Sequence, residues 1–375
     1  MSAIQMVDLK GQYEKIKKEI DEGVINCVSS AAYINGAQVK SFQENLENYL
    51  QVKNVIPCAN GTDALQIAMM ALDLREGDEV IVPSFTFIAT AEVVALLKLK
   101  PVMVEVDAGT FNVTADIIEQ AITPKTKAIV PVHLFGQTCD MQSIMQIAEK
   151  HNLFVIEDNA QAIGSDYTFA DGSMKKAGTI GHIGTTSFFP SKNLGCYGDG
   201  GAIFTNHDHL AEKMRMIANH GQSKRYYHSV IGVNSRLDTI QAAILDIKLK
   251  YLDEYAAARQ KAAAFYDEAF KNIEELQTPT REKNSTHVFH QYTLRVKNGE
   301  RDALQKHLEN AGVPAMIYYP VPLYRQEAFA EYVAPGFRLP TTEKLCDEVL
   351  SLPIHTELHE EVLGKITVEV KNFFR

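Results

Sequence analysis

The sequence predicts an α/β protein, a mainly parallel sheet between helices followed by a smaller C-terminal α+β domain. Two observations carry this. From about residue 55, short and continuously apolar runs alternate with amphipathic segments. Strands buried on both faces read as unbroken apolar runs, and a helix between successive strands lets them lie parallel. The chain also has 375 residues, more than one small core needs, so two domains are expected.

The elements follow in order. EVIVP at 79–83 reads as a strand and TAEVVALLKL at 90–99 as a helix. PVMVEV at 101–106 is the next strand, ADIIEQAI at 115–122 a helix, KAIVPVHL at 127–134 a strand and MQSIMQIAEKH at 141–151 a helix. LFVIED at 153–158 closes the series. One such run could be a buried helix segment, because periodicity does not separate the two over so short a length; the alternation decides. GAIFTN at 201–206 looks like another strand, and a helical segment runs to about Ala218. A long helical pattern then spans 237–270, as a helix bridging two domains would. The boundary is placed at 250: a large domain over 1–250 and a small one over 251–375, with the N-terminal segment of the large domain expected to pack on the small one.

Bulk composition excludes some functions. A net charge of −10 with a pI near 5.7 argues against a general nucleic-acid binder, which carries a basic face. No apolar run approaches the roughly 20 residues that span a bilayer, and the opening residues lack a signal pattern. Five dispersed cysteines read as reduced thiols, so a cytoplasmic protein is expected.

Chemistry centres on TTSFFPSKNLGCYGDGGAIFTN at 185–206. Lys192 could be a solvated side chain, a phosphate ligand or an amine held for covalent chemistry. A Walker loop places the lysine after its glycines and leads into a helix; here the lysine comes first and a strand follows. The glycines therefore read as a tight turn passing close to a bound ligand.

A better phosphate cradle is CANGTDALQIAMMAL, where Asn60, Gly61 and Thr62 open a strongly helical run. A helix N-terminus offers free N–H groups and a positive dipole end. Taken alone, a plain N-cap is the readier reading. In FVIEDNAQAIG, Asp158 ends a buried strand, where open α/β sheets bind ligands. No cluster at metal-ligand spacing accompanies it, so no metal is expected. Together these residues suit pyridoxal phosphate, which needs a lysine, an acid opposite its ring nitrogen, donors for its phosphate and an apolar face. Gln161, one turn beyond Asp158, could reach its phenolic oxygen, and PSFTFIATA supplies Phe85 and Phe87 for the ring.

The chain resembles the DegT/DnrJ/StrS sugar aminotransferases, a branch of the fold type I pyridoxal-phosphate enzymes. The resemblance runs over nearly its whole length, through VDLKGQY, YINGAQVKSFQENL, CANGTDAL, PSFTFIATA, PVHLFGQTCDM, VIEDNAQAIG, SFFPSKNLGCYGDGGA, GVNSRLDTIQAAIL and YYPVPLY. It implies the aspartate aminotransferase-like fold, with Lys192 as the lysine bound to the cofactor, Asp158 at the pyridine nitrogen and Gln161 near the phenolic oxygen. It further implies Gly61, Thr62 and Ser187 at the phosphate and Phe87 stacked on the ring. A homodimer with shared active sites follows, Asn234 reaching the neighbouring subunit's phosphate and Arg236 its substrate. Without the resemblance, Arg236 reads as a surface charge at a helix start.

L-Glutamate is the implied amino donor and a nucleotide-linked keto sugar the acceptor. Family members with histidine in place of the lysine act as dehydratases, so Lys192 favours transamination. The loop with Cys196 and Tyr197 is most similar to enzymes that aminate C3 of UDP-2-acetamido-2-deoxy-3-keto-glucuronic acid, for surface polysaccharide. Enzymes for dTDP-3-keto-6-deoxyhexoses or 4-keto sugars are the alternative. The chain departs from the pattern at Tyr318 and Tyr324, where relatives often carry histidine, while Tyr319 matches; Tyr318 and Tyr319 are expected at the substrate.

Overall fold

A computed structural model describes residues 3–375; Met1 and Ser2, which open the segment assigned above to the large domain, lie outside the described residues. Helices α1 (Leu9–Ser30) and α2 (Ala37–Leu50) precede β1 (Asn54–Cys58) and α3 (Gly61–Ala71). Then come β2 (Glu79–Pro83), α4 (Ala89–Leu96), β3 (Lys100–Val104), α5 (Ala115–Ala121), β4 (Thr126–Ile129), α6 (Met141–His151) and β5 (Phe154–Asp158). A short hairpin of β6 (Asp166–Thr168) and β7 (Met174–Lys176) leads to β8 (Ile183–Ser187), β9 (Gly201–Thr205) and α7 (Asp208–Ala218).

Seven of these strands form one sheet in the order β1-β9-β8-β5-β4-β2-β3. The pairs β2–β3, β2–β4, β4–β5 and β5–β8 are parallel. Strand β9 runs antiparallel to both β8 and β1. The reason lies in its connection: no helix stands between β8 and β9, so the chain turns straight back along its neighbour. That returning loop carries Lys192.

Both faces of the sheet are covered, which explains the unbroken apolar strands. Val80 and Val82 pack with Ile67, Val94 and Met214 on one side, whereas Ile81 between them packs with Val104, Ile144 and Val155 on the other.

Beyond α7, a hairpin of β10 (Gln222–Lys224) and β11 (Tyr227–His228) precedes α8 (Thr239–Leu249) and α9 (Leu252–Phe270). The single helix expected over 237–270 is thus two, broken where Tyr251 leaves helical geometry at φ −103°, ψ 0°. The halves serve different cores: Ile244 of α8 meets Ile16 and Ile20, and Leu245 meets Phe42 and Leu46, while Tyr266 and Phe270 of α9 join the C-terminal core. One straight helix could not follow both.

After β12 (Leu276–Gln277), β13 (Tyr292–Val296) and α10 (Arg301–Asn310), α11 (Pro340–Glu348) packs its Leu345 and Cys346 with Phe85 and Val106, and the C-terminal core is built on the other elements together with β14 (Val349–Leu352) and α12 (Glu360–Phe373). Its three strands are antiparallel. Ile4 packs against this core, and the Met6 carbonyl accepts a hydrogen bond from Ile354 N–H. Glu105, just past β3, fastens α11: its carboxylate accepts from the N–H groups of Thr341 and Thr342, each at 2.8 Å, capping the helix.

Candidate active site

Parallel strands deliver their C-terminal ends to one edge, and here that edge borders a cavity of about 680 Å³. Adjacent strands β5 and β8 present Asp158 opposite Thr185, and the loop after β8 brings Lys192 over them. The start of α3 supplies Asn60, Gly61 and Thr62, and the segment after β2 supplies Thr86, Phe87 and Thr90. Gln161, Ser187, His290, Gln291, Tyr318 and Tyr319 complete most of the wall. Nine residues proposed from the sequence therefore share one cavity: Gly61, Thr62, Phe87, Asp158, Gln161, Ser187, Lys192, Tyr318 and Tyr319.

Lys192 sits in a tight loop, its N–H bonded to the Phe189 carbonyl at 2.8 Å. Burial of the ammonium lowers its pKa to about 8, against the opposing pull of Asp158, whose charge raises it. An amine poised near neutrality can act as nucleophile and as proton carrier.

Asp158 is buried, and its Oδ2 accepts a hydrogen bond from Thr90 Oγ1 at 2.7 Å while Oδ1 accepts from Ala160 N–H at 3.2 Å. The strand end is fixed from behind by Glu157, whose carboxylate pairs with buried His133 at 2.9 Å and accepts from the N–H groups of Gly178, Ile180 and Gly181. Gln161 is oriented by its own partners. Its Oε1 accepts from Phe135 N–H at 2.7 Å, and its Nε2 donates to the Tyr319 hydroxyl at 3.2 Å. Burial pushes the Tyr318 and Tyr319 phenols up, so both remain protonated donors. Phe87 is 56% exposed and tilts towards Tyr319, leaving a ring face open to the cavity.

At the other end, Asn60 caps α3: its side chain accepts from Asp63 N–H at 2.8 Å and its carbonyl from Ala64 N–H at 3.1 Å. The capping and cradle readings are both satisfied, because this leaves the N–H groups of Gly61 and Thr62 for a ligand. Two glycines make the cradle possible. A Cβ on Gly61 would lie 2.7 Å from Ser187 Cβ, and one on Gly201 would lie 2.4 Å from the Asn60 carbonyl carbon and oxygen. The glycines of the Lys192 stretch thus press on protein. Gly198 faces Gln241 and Gly200 faces Cys196 and Leu237, so the expectation that they pass close to a ligand is replaced by close packing behind the site.

Other sequence candidates fall elsewhere. Phe85 is buried against Phe111 and Phe135 rather than lining the cavity. Asn234 is exposed and Arg236 half-buried, and neither lines the cavity of its own chain. Conversely, Thr90, His290, Gln291 and Asp199 were not singled out from the sequence. Thr90 falls within PSFTFIATA, and folding alone brings its hydroxyl onto Asp158. His290 is buried with Nδ1 lacking a partner; burial and the nearby cations Lys192 and Arg259 hold it well below the usual histidine value, so it is neutral.

The donor set matches pyridoxal phosphate. An amine and a carboxylate share one cavity, two uncommitted helix N–H groups and the Ser187 hydroxyl stand where a phosphate could sit, and Phe87 offers an aromatic face. Charge is less well matched. Among the described residues lining the cavity, Lys192 is the one cation beside two carboxylates, Asp158 and Asp199. Among the described residues there is also no cluster of three or more His, Cys, Asp or Glu able to hold a metal ion.

A family model described as the DegT/DnrJ/EryC1/StrS aminotransferase family matches residues 14–371. The chain is 48% identical to the UDP-2-acetamido-2-deoxy-3-oxo-D-glucuronate aminotransferase of Pseudomonas aeruginosa, over 98% of this chain and 100% of that protein. Its structure resembles that of Streptomyces venezuelae DesV in complex with a ketimine intermediate, with a TM-score of 0.95, 35% identity, and 100% and 99% of the two chains covered. It also resembles NtdA from Bacillus subtilis with bound cofactor PMP, with a TM-score of 0.92, 31% identity, and 100% and 86% covered.

Proposed function

We propose a substrate, a donor and an assembly from one premise: this chain belongs to the DegT/DnrJ/EryC1/StrS aminotransferase family. It is a pyridoxal-phosphate-dependent sugar aminotransferase. It moves the amino group of L-glutamate to C3 of a UDP-linked 2-acetamido-2-deoxy-3-keto-glucuronic acid, releasing 2-oxoglutarate and an amino sugar for surface polysaccharide. The observation that carries the reading is the single cavity that holds Lys192, Asp158 and the free N–H groups of Gly61 and Thr62. The near full-length likeness to a 3-oxo-glucuronate aminotransferase supports the choice of sugar and carbon.

Pyridoxal phosphate, when bound, supplies an aldehyde that carries the amino group and a ring that withdraws electrons as a C–H bond breaks. The chain's residues do the rest. Lys192 would hold the cofactor and is the amine placed to carry a proton at the substrate carbon. Asp158, held by Thr90, would keep the ring nitrogen protonated. Gly61, Thr62 and Ser187 would donate to the phosphate, Phe87 would cover the ring, Gln161 would face the phenolic oxygen, and Tyr318 and Tyr319 would meet the sugar. Lys192 exchanges its proton readily because its pKa, at about 8, lies close to neutrality.

The charge deficit supports a homodimer with shared sites. A phosphate dianion and two acidic substrates need more positive charge than Lys192 provides, and Arg236, outside its own chain's cavity, can supply it to a neighbour. The segment carrying Asn234 and Arg236 lies among exposed apolar side chains: the Tyr33 carbonyl accepts from Thr239 N–H, Ile34 is bridged to Asp238, and Ile231 is 85% exposed. Such a surface fits a second copy in the cytoplasm. Mixing Lys192→Ala with Arg236→Ala subunits tests the sharing. Random pairing would restore one intact site per mixed dimer, about a quarter of all sites; no recovery means that each chain completes its own site.

A panel of UDP- and dTDP-linked 3-keto and 4-keto sugars, read by product structure, tests the substrate. The reading requires glutamate-dependent amination at C3 of the UDP-3-keto uronate. Preferred amination of a dTDP-6-deoxyhexose, amination at C4, or loss of a hydroxyl without amination would replace it.

A further inference from the structure

Two buried cations stand behind the cavity without a carboxylate. Lys248, in the last turn of α8, is 1% exposed, and its ammonium donates to the Gly195 carbonyl at 2.5 Å. Arg259, in α9, is 3% exposed, and one guanidinium nitrogen donates to the carbonyls of Phe289 at 3.0 Å, His290 at 3.4 Å and Ile354 at 2.9 Å. Among the described residues neither makes a salt bridge, and Arg259 Nε has no partner at all. A buried cation without an anion is costly, and burial duly lowers Lys248 to about 8 and Arg259 to about 10. A neutral donor could satisfy a carbonyl at less expense, so the long charged side chains need another explanation.

Position gives one. Gly195 lies three residues past Lys192, in a loop folded so tightly that a Cβ there would meet the Pro190 carbonyl oxygen at 2.4 Å. The loop has no regular structure, and its own ties sit mostly at its base: Phe188 N–H to the Gly200 carbonyl, Phe189 N–H to the Ser187 hydroxyl, and Cys196, through its N–H and thiol, to the Phe188 carbonyl, with Lys192 N–H to the Phe189 carbonyl nearer its tip. Its outer side is held by α8, where Gln241 accepts from Tyr197 N–H at 2.9 Å and Lys248 takes the Gly195 carbonyl while lying over the Tyr197 ring. Arg259 gathers the carbonyls of the adjoining segment, which presents His290 and Gln291. Asn193 closes the frame by donating from its side chain to the Val288 carbonyl at 3.0 Å. The two cations stand on either side of the break between α8 and α9, where the two cores meet.

We propose that Lys248 and Arg259 are positioning residues for the Lys192 amine, a pair of buried cations that hold the Lys192 loop and the 288–291 segment in register by binding their main-chain carbonyls. A long donor reaching from a rigid helix fixes a loop that has no regular structure of its own, and catalytic groups misplaced by about 1 Å lose roughly a hundredfold in rate. The proposal rests on the reading of Lys192 as the reactive amine.

The test uses the holoprotein with Lys248→Met, Lys248→Arg and Gln241→Ala, compared with the parent. Hydrogen–deuterium exchange reads the loop directly and does not depend on the reaction. Lys248→Met should speed exchange of the 189–198 amides at least tenfold and leave the α12 amides unchanged, with Lys248→Arg restoring most of the protection. Stopped-flow absorbance with glutamate should show the single-turnover rate per loaded site falling at least tenfold, with half-saturation by glutamate within twofold. Gln241→Ala should move both readouts in the same direction by less, and it decides the matter if Lys248→Met does not fold. Unchanged 189–198 exchange overturns the proposal. So does a loss of loaded sites whose remaining members turn over at the parental rate, which is what a purely structural role gives. Borohydride reduction that places the cofactor on a lysine other than Lys192 would instead sink the reading beneath it, whatever the exchange shows.

Discussion

Replacing Thr90 by valine tests how Asp158 is held. The substitution keeps the shape of a buried side chain but removes the hydroxyl that donates to Asp158 Oδ2 at 2.7 Å. One other donor remains on this carboxylate, Ala160 N–H at the longer distance of 3.2 Å. A hydrogen bond to a charged group contributes about 1.5–3 kcal/mol, and about 1.4 kcal/mol is a factor of ten in an equilibrium constant. Under the proposed role of Asp158 at the ring nitrogen, the carboxylate without Thr90 would have to be ordered as the cofactor binds, so the loss falls on binding. We therefore expect the dissociation constant of pyridoxal phosphate to rise about tenfold to a hundredfold, measured by absorbance titration of the apoprotein. Thr90→Ser keeps the donor and should bind within about threefold of the parent. If Thr90→Val binds as the parent does, or if Thr90→Ser is as weak as Thr90→Val, the hydroxyl is not what holds Asp158 and the reasoning fails.

Other outcomes follow from the same geometry. Gly201→Ala drives a Cβ into the Asn60 main chain at 2.4 Å, where no flexible side chain can give way; urea unfolding should show a loss of at least about 1–3 kcal/mol together with weaker cofactor binding. Capture of pyridoxal phosphate by the apoprotein needs the neutral amine, so with a Lys192 pKa of about 8 its rate should climb roughly fivefold from about pH 7 to about pH 8 and roughly twofold more before it levels above about pH 9. Because the charge of Asp158 raises that pKa, Asp158→Asn should move the midpoint to lower pH; a midpoint that moves up contradicts the assignment. Glu105→Ala removes the cap of α11 and the tie of that helix to the segment after β3, and should lower unfolding stability by about 1–2 kcal/mol without altering the single-turnover rate.

Much of this could be read from the sequence because it depends on local pattern. The strands from Glu79 to Asp158 announce themselves because both of their faces are buried, and Asp158 is placed by being the last residue of such a run. Gly61 and Thr62 are placed by the helix they begin. What stayed hidden depends on contacts between distant segments. The antiparallel β9 follows from the absence of a helix after Ser187, a negative signal that composition does not carry. The break at Tyr251 lies inside an unbroken helical pattern and is set by the two cores that α8 and α9 serve. Thr90 is an ordinary helix residue until its hydroxyl is seen on Asp158, 68 positions away. Lys248 and Arg259 look like surface charges on helices, yet both are buried on carbonyls.

The central claim is that Lys192 is the amine through which this chain handles its cofactor. Its most direct test is borohydride reduction of the yellow holoprotein, followed by peptide mapping by mass spectrometry. The account predicts one phosphopyridoxyl group per chain, on Lys192, and no visible chromophore in Lys192→Ala. A colourless wild-type protein, or a phosphopyridoxyl group on any other lysine, would contradict it.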